Sequence, residues 1–128
     1  MTSVKRKQSP KSASRRSKRS RKERGFLVIW QFQVREGMEK RFERIYGALG
    51  DWVKLFAQDD TYVTTELVHR LNSRSYLTLD FWTSETAYDA FRKQHRAEYK
   101  TLDLKCEGMT ENEREIGRFV SAVAPTRS

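Results

Sequence analysis

The order of hydrophobic spacings along residues 25–123 constrains the fold of this chain more than any other feature. Four segments carry apolar or β-branched side chains with the two-residue spacing of a strand: residues 26–34, 62–71, 75–82 and 116–123. Two segments carry apolar side chains every three or four residues, as an amphipathic helix does: residues 38–57 and 85–107. Thr110 and Glu113 predict a capping box for one helical turn before the last strand. The predicted order is therefore strand, helix, strand, strand, helix, strand.

Glycines and turn residues predict further local details. Gly47 and Gly50 are expected to interrupt the first helix, because glycine is a poor helix former. Residues 72–74 predict a hairpin turn between the second and third strands. A three-residue turn pairs Leu67 with Leu79, and a four-residue turn shifts this register by one. The matching of apolar side chains favours the three-residue turn.

This order of elements is that of the ferredoxin-like fold of the α+β class, in which helices cover one face of a four-stranded antiparallel sheet. The opposite face is expected to carry a large apolar patch formed by Val28, Trp30, Phe32, Tyr76 and Trp82. Soluble monomers seldom expose such a patch, so a homodimer is predicted in which two sheets enclose a cavity. The alternative is a sheet-to-sheet core without a ligand. Thr78 and Asp80 disfavour it, because a carboxylate in a dry core is costly.

The basic character of the chain is confined to residues 1–24. The whole chain has a net charge of +9, but this tail holds eleven basic residues and one acidic residue, so the remainder is close to neutral. With no aromatic ring and little apolar surface, the tail is predicted to be disordered, and residues 124–128 to be frayed. Two alternatives stay open for the tail: an arm that contacts nucleic acid through its charge, or a solubilising or extraneous extension.

Cysteine, histidine and motif content exclude several classes of protein. The single cysteine, Cys106, excludes an internal disulfide, and the two histidines, His69 and His95, cannot form a zinc site without carboxylates. No run approaches the roughly 20 apolar residues of a membrane span. No nucleotide-binding, nucleophile-elbow or zinc-finger motif occurs in the sequence. We therefore expect a cytoplasmic protein with no metal site and no membrane contact.

Four segments of the chain resemble one protein family. They are residues 26–37, the amphipathic helix that follows them, residues 62–67 (YVTTEL) and, above all, residues 76–91 (YLTLDFWTSETAYDAF), in which a tryptophan ends the third strand and an aromatic helix follows. These segments resemble the antibiotic biosynthesis monooxygenase family of dimeric α/β-barrels. The resemblance spans residues 25–120. It implies oxygen insertion into an electron-rich polycyclic substrate of quinol or anthrone type, without a metal or flavin cofactor, in a pocket between sheet and helices or inside the barrel.

Trp82 is the one residue at which the resemblance transfers a site position directly, since it matches the family's tryptophan. In the haem-degrading branch an asparagine and a histidine complete the site. The matching positions hold Trp30 and Thr101, which disfavours haem degradation and leaves His95 as a displaced ligand. In the quinone-forming branch asparagine, tryptophan and tyrosine surround the substrate, and here Trp82 and Tyr76 match in kind.

Trp82 and Asp80 are the candidate catalytic residues. Trp82 either stacks on a planar substrate or anchors the dimer. Asp80 either removes a proton from a phenol or a carbon acid, which requires a raised pKa, or forms an ion pair with Arg70 or Arg118. Four further residues are candidate substrate contacts, with hydrogen bonding or packing in the core as the alternative: Trp30, Tyr76, His95 and Tyr99.

Three functional hypotheses follow. The first is a cofactor-independent monooxygenase-like enzyme that oxidises a small aromatic substrate in its pocket. The second is a non-catalytic dimeric barrel that binds a small hydrophobic ligand or haem. The third adds a role for residues 1–24, which would tether the barrel to nucleic acid. The expected partners are a second copy of the chain and a small aromatic ligand.

Overall fold

The computed structural model describes residues 23–122. Residues 1–22, which form most of the tail predicted to be disordered, lie outside this range. So do residues 124–128, which are predicted to be frayed. Eight elements follow one another: β1 (Phe26–Val34), α1 (Glu39–Tyr46), α2 (Asp51–Phe56), β2 (Tyr62–His69), β3 (Ser75–Trp82), α3 (Glu85–Gln94), α4 (Arg96–Cys106) and β4 (Thr110–Val120). Within the described range, no helix has the length and apolar character needed to cross a membrane.

The four strands form one antiparallel sheet in the order β2-β3-β1-β4. The helical segments pack on one face of this sheet, where side chains from helices and strands form two largely aromatic core clusters. The ferredoxin-like α+β fold is therefore confirmed. Because β1 and β3 are the two central strands, their helix-facing side chains lie in the deepest layer of the molecule.

The first predicted helix is broken where its glycines predict. It divides into α1 and α2, with residues 47–50 between them. A Cβ atom on Gly50 would lie 2.2 Å from the carbonyl oxygen of Ile45, so no other residue fits there without a shift of the backbone. The break turns the chain and lets α2 place its own aromatic side chains against the sheet.

The second predicted helix is also broken, and this was not expected. His95 separates α3 from α4 with φ −111° and ψ 30°. The backbone hydrogen bonds nevertheless continue across it, from the His95 N–H to Phe91 and from the Tyr99 N–H to His95. The regular spacing of apolar residues therefore passes through the break without a signal in the sequence.

β4 begins at Thr110, six residues earlier than predicted. The expected capping box and helical turn are wrong, because this segment pairs instead with the second half of β1: Glu113 lies opposite Phe32 and Glu115 opposite Trp30. Pairing with a central strand outweighs the local preference of a Thr-x-x-Glu sequence for a helix start.

The hairpin between β2 and β3 has a four-residue loop, so the favoured register is wrong by one residue. The Arg70 N–H donates to the Ser75 carbonyl, and Leu67 pairs with Thr78 rather than with Leu79. Asn72 adopts φ 56°, a left-handed conformation that asparagine tolerates and that this turn requires. The observed register places Thr65 directly opposite Asp80.

The predicted exposed patch in fact faces the helices. Its members are almost fully buried, except for Trp30, which is partly buried: Val28, Trp30, Phe32, Tyr76 and Trp82. We call this side of the sheet the covered face. The other side, the open face, carries Leu27, Ile29, Leu77, Leu79, Phe81 and Phe119. The prediction failed because β1 is apolar on both faces, and the helices cover the face with the larger aromatic rings.

Candidate active site

A cavity of about 120 Å³ lies between the covered face and the helices and opens to the surface on one side. Its wall contains seven aromatic residues, and apart from their hydroxyl and indole N–H groups its polar groups are two threonine hydroxyls, three carboxylates and one guanidinium. The strands supply Asp80, Thr65 and Thr78, and the helices supply most of the rings. An aromatic wall with few polar groups is typical of small-molecule sites, but this cavity is smaller than most of them, so a substrate of more than one ring has to extend through its opening.

Asp80 is the most deeply buried carboxylate in the cavity wall. It lies on β3 between Val28 of β1 and Thr65 of β2. The Thr65 hydroxyl donates to Oδ1 of Asp80 over 2.7 Å, and the Tyr62 hydroxyl donates to Thr65 over 2.8 Å. Burial raises the pKa of Asp80 to about 6, although the hydrogen bond from Thr65 opposes this rise. A carboxyl group with a pKa in this range can accept a proton at neutral pH and release it again.

The predicted ion pair of Asp80 is not formed. In residues 23–122 no lysine or arginine nitrogen lies within 4 Å of this carboxylate. Arg118 instead pairs with Glu85 at 2.9 Å and with Asp89 at 3.1 Å, both on α3. The negative charge of Asp80 is thus stabilised by one hydroxyl group and by no cation among the described residues. This explains why burial is the main influence on its pKa.

The helical side of the cavity offers two polar atoms that are buried and have no hydrogen-bond partner among the described residues. They are the Tyr99 hydroxyl and the Trp52 indole nitrogen. The two rings meet edge to face, with centroids 5.4 Å apart. Buried polar groups are seldom left unpaired, and because neither atom is exposed to the cavity, a side chain of the wall has to shift before a ligand can bond to them.

Three of the six predicted site residues line the cavity together, namely Trp30, Asp80 and Tyr99. Trp82 lies behind its wall. The Trp82 ring is fully buried and packs against Phe56 at 5.5 Å and Tyr88 at 5.4 Å, and both of those rings face the cavity.

Tyr76 and His95 lie away from the cavity wall. The Tyr76 hydroxyl donates to the Glu43 carboxylate of α1, and its ring stacks on His69. The His95 ring stacks on Phe91 with centroids 4.3 Å apart, and its Nδ1 lies 3.4 Å from Glu98. The roles predicted for these two residues therefore have no support from their positions.

Several wall residues were not predicted: Trp52, Tyr88, Arg92, Asp103 and Glu113. Burial raises the pKa of both Asp103 and Glu113, and the charge of Asp103 raises that of Glu113 further. The Arg92 guanidinium lies over the rings of Tyr88 and Tyr99. Tyr88 belongs to the same apolar stripe as Tyr99, so the stripe was a usable signal. Glu113 gave none, because its segment was interpreted as a turn.

These features define a ferredoxin-like domain with an aromatic, carboxylate-bearing cavity between its sheet and its helices. Residues 25–100 match the antibiotic biosynthesis monooxygenase family, and the chain belongs to this family. A comparison with curated proteins finds no match.

Solved structures with the same fold include proteins of this kind. SnoaB of Streptomyces nogalater, a cofactor-independent oxygenase, is 16% identical with a TM-score of 0.59, over 80% of this chain and 97% of that protein. The ActVA-Orf6 monooxygenase of Streptomyces coelicolor, in complex with nanaomycin D, is 14% identical with a TM-score of 0.60, over 81% and 93%. A dimeric ferredoxin-like protein from an uncultured marine organism is 16% identical with a TM-score of 0.58, over 84% and 96%. At these identities the likeness shows the fold.

Proposed function

We propose that this chain is a monooxygenase that oxidises a small, electron-rich aromatic substrate, of quinol or anthrone type, with dioxygen. The observation that carries the proposal is the position of Asp80, a buried carboxylate with a pKa near 6 in the wall of an aromatic cavity. Membership of a monooxygenase family supports it, as does the fold shared with a cofactor-independent oxygenase.

In this proposal Asp80 is the base. It removes a proton from the phenol or from the acidic methylene of an anthrone, and the substrate anion that results is rich enough in electrons to react with dioxygen. For an anthrone, one oxygen atom replaces the two methylene hydrogens as a new carbonyl, and the other oxygen atom leaves as water. The four electrons lost by the carbon are those gained by dioxygen.

The aromatic wall binds and orients the substrate. Trp30 and Trp52 offer flat surfaces for a planar ring, and the Tyr99 hydroxyl is a donor for an oxygen atom that gains negative charge. Burial raises the pKa of Tyr99 well above its usual range, so this hydroxyl keeps its proton and can donate it. Trp82 acts behind the wall, where it holds Tyr88 and Phe56 in place.

We also propose that two copies of the chain associate through their open faces. The open face carries Ile29 and Leu79 at its centre, with Phe81 and Phe119 beside them. Phe119 is 43% exposed in the single chain and Val68, on the same face, is 42% exposed, and neighbouring exposed apolar side chains favour a partner. The dimeric ferredoxin-like neighbour supports a second copy as that partner. The ligand cavity is then separate from the dimer interface, one in each subunit.

Oxygen uptake with a dihydroxyanthrone tests the proposed reaction. We expect uptake above the spontaneous rate with the full chain, one molecule of dioxygen consumed per quinone formed, and a loss of about 100-fold or more in Asp80→Asn. Asp89→Asn is the matched control, because Asp89 is a carboxylate outside the cavity wall. Binding without uptake, or a Soret band on titration with haem, would favour the second hypothesis, a ligand-binding barrel without catalysis.

A further inference from the structure

We propose that Tyr62 and Thr65 are positioning residues, which together hold Asp80 through a directed chain of hydrogen bonds and leave one of its oxygen atoms for the ligand. This inference rests on the proposed role of Asp80 as a base, and it assigns a task to two residues of β2. Neither of them was a candidate site residue in the sequence analysis, although both lie in the segment 62–67, and neither carries a charge.

The direction of the chain follows from the donors available. A threonine hydroxyl has one proton to donate. Since the Tyr62 hydroxyl donates to the oxygen of Thr65, the proton of Thr65 is directed to Oδ1 of Asp80, and the two bonds measure 2.8 Å and 2.7 Å. Burial raises the pKa of Tyr62 above its usual range, so it stays protonated and acts as the donor at neutral pH. Oδ2 of Asp80 makes no hydrogen bond within residues 23–122.

An irregularity in β2 makes this chain possible. Tyr62 and Thr65 are three residues apart, so in a regular strand they would point to opposite faces of the sheet. Here Tyr62 pairs with Trp82 while Thr64 pairs with Phe81, which leaves Val63 as an extra residue in a β-bulge. The bulge brings the side chains of Tyr62 and Thr65 to the same covered face. Bulges of this kind are common beside active sites, where they redirect a side chain.

The rings around Tyr62 fix its position. Its ring meets the Trp82 ring edge to face at 5.3 Å and packs against Phe56 at 5.6 Å. Trp82 therefore affects the position of Asp80 indirectly: it packs against Tyr62, which is hydrogen-bonded through Thr65 to Asp80. Trp82 itself does not line the cavity. This contact offers a physical route by which the tryptophan at the end of β3 would affect a reaction at Asp80.

Few other groups can take over this task. The titratable or charged residues that share the cavity wall with Asp80, in addition to Tyr62 beside it, are Tyr46, Tyr88, Arg92, Tyr99, Asp103 and Glu113. Of these, Tyr88 and Tyr99 lie close enough for the negative charge of Asp80 to raise their pKa values, but neither forms a hydrogen bond with Asp80. Thr78, the other threonine of the wall, makes no side-chain hydrogen bond in the described part of the chain. Thr65 is therefore the residue through which the protein holds this carboxylate.

The test measures the pKa of Asp80 directly in the full chain, by titration of its carbon-13-labelled carboxyl signal, assigned by its disappearance in Asp80→Asn. Because the bond from Thr65 favours the ionised form, Thr65→Val should raise this pKa by about one unit. Thr65→Ser keeps the hydroxyl and should restore the original value. Thr78→Val removes a hydroxyl from the same wall and should leave the titration of Asp80 unchanged. Tyr62→Phe should shift it in the same direction as Thr65→Val, by less.

The same variants separate this inference from the proposed reaction. If Asp80 is the base, a rise of one unit in its pKa lowers the rate of oxygen uptake about fivefold at pH 6 and by about a tenth at pH 8. An Asp80 pKa that does not move in Thr65→Val or in Tyr62→Phe would overturn the positioning chain. A pKa that moves while the pH profile of oxygen uptake stays fixed would support the chain and contradict the role of Asp80 as base.

Discussion

The covered face and the open face of the sheet are both apolar, but they differ in kind. The covered face combines large aromatic rings with the buried polar side chains of Thr65, Thr78 and Asp80. The open face carries aliphatic residues such as Ile29 and Leu79 at one end and polar residues such as Gln31 at the other, and none of its described residues is a buried carboxylate. Apolar surface by itself requires only burial from water, and either a helix or a second sheet can bury it. We propose that the carboxylate inside the aromatic layer marks the side on which a ligand binds.

The largest expected effect concerns the open face. Ile29→Glu places a charge at the centre of this face and should weaken the proposed dimer about 1000-fold or more, because an unpaired carboxylate would have to be buried between the sheets. Sedimentation velocity across a range of concentrations measures this. Leu71→Glu changes a residue that is 86% exposed in the hairpin, and it should leave the dimer intact. If both variants associate like the unmodified chain, the open face is not the interface.

The covered face should dominate the stability of the fold. Trp82→Ala removes a fully buried ring and should lower the free energy of unfolding by about 3–5 kcal/mol. Leu71→Ala, at an exposed position, should change it by less than about 0.5 kcal/mol. Urea unfolding of both variants gives the comparison. A cost near zero for Trp82→Ala would mean that the aromatic layer is not the core described here.

Asp80 should make the folded state sensitive to pH. Its pKa is raised from about 3.8 to about 6 by burial, so the native state binds a proton more tightly than the unfolded state. Its contribution to stability is present below pH 4 and is lost as pH rises through 6, by an amount on the order of 3 kcal/mol. Asp80→Asn should therefore be more stable than the unmodified chain at pH 7, and about equal to it at pH 4. Thermal unfolding at the two pH values checks this. A variant that is less stable at pH 7 would contradict the account of Asp80.

Much of the fold could be predicted from the spacing of apolar residues, since the strand and helix periods alternate clearly from Phe26 to Trp82. Three features could not. The break at His95 leaves the apolar stripe intact, the pairing of residues 110–115 with β1 is a non-local interaction, and the hairpin register depends on the backbone conformation of Asn72. Each of these three features depends on backbone conformation or on pairing between distant segments, and the spacing of hydrophobic residues gives no information about either.

The candidate site was predictable only in part. Asp80, Trp30 and Tyr99 could be selected because a carboxylate and aromatic rings stood in apolar stripes, and the structure brings the three together in one wall. The face on which they lie could not be selected, since Leu27 and Ile29 make the other side of β1 equally apolar. A one-residue shift of register and a bulge at Val63 determine which neighbours reach Asp80.

The position of a bound ligand tests the central claim most directly. A crystal structure of the full chain with a dihydroxyanthraquinone, the expected product type, should show the ring on the covered face, between sheet and helices, with one of its oxygen atoms within about 3 Å of Asp80 or of the Tyr99 hydroxyl. A ligand found instead between the open faces of two copies, with the cavity around Asp80 filled only by water, would contradict the account.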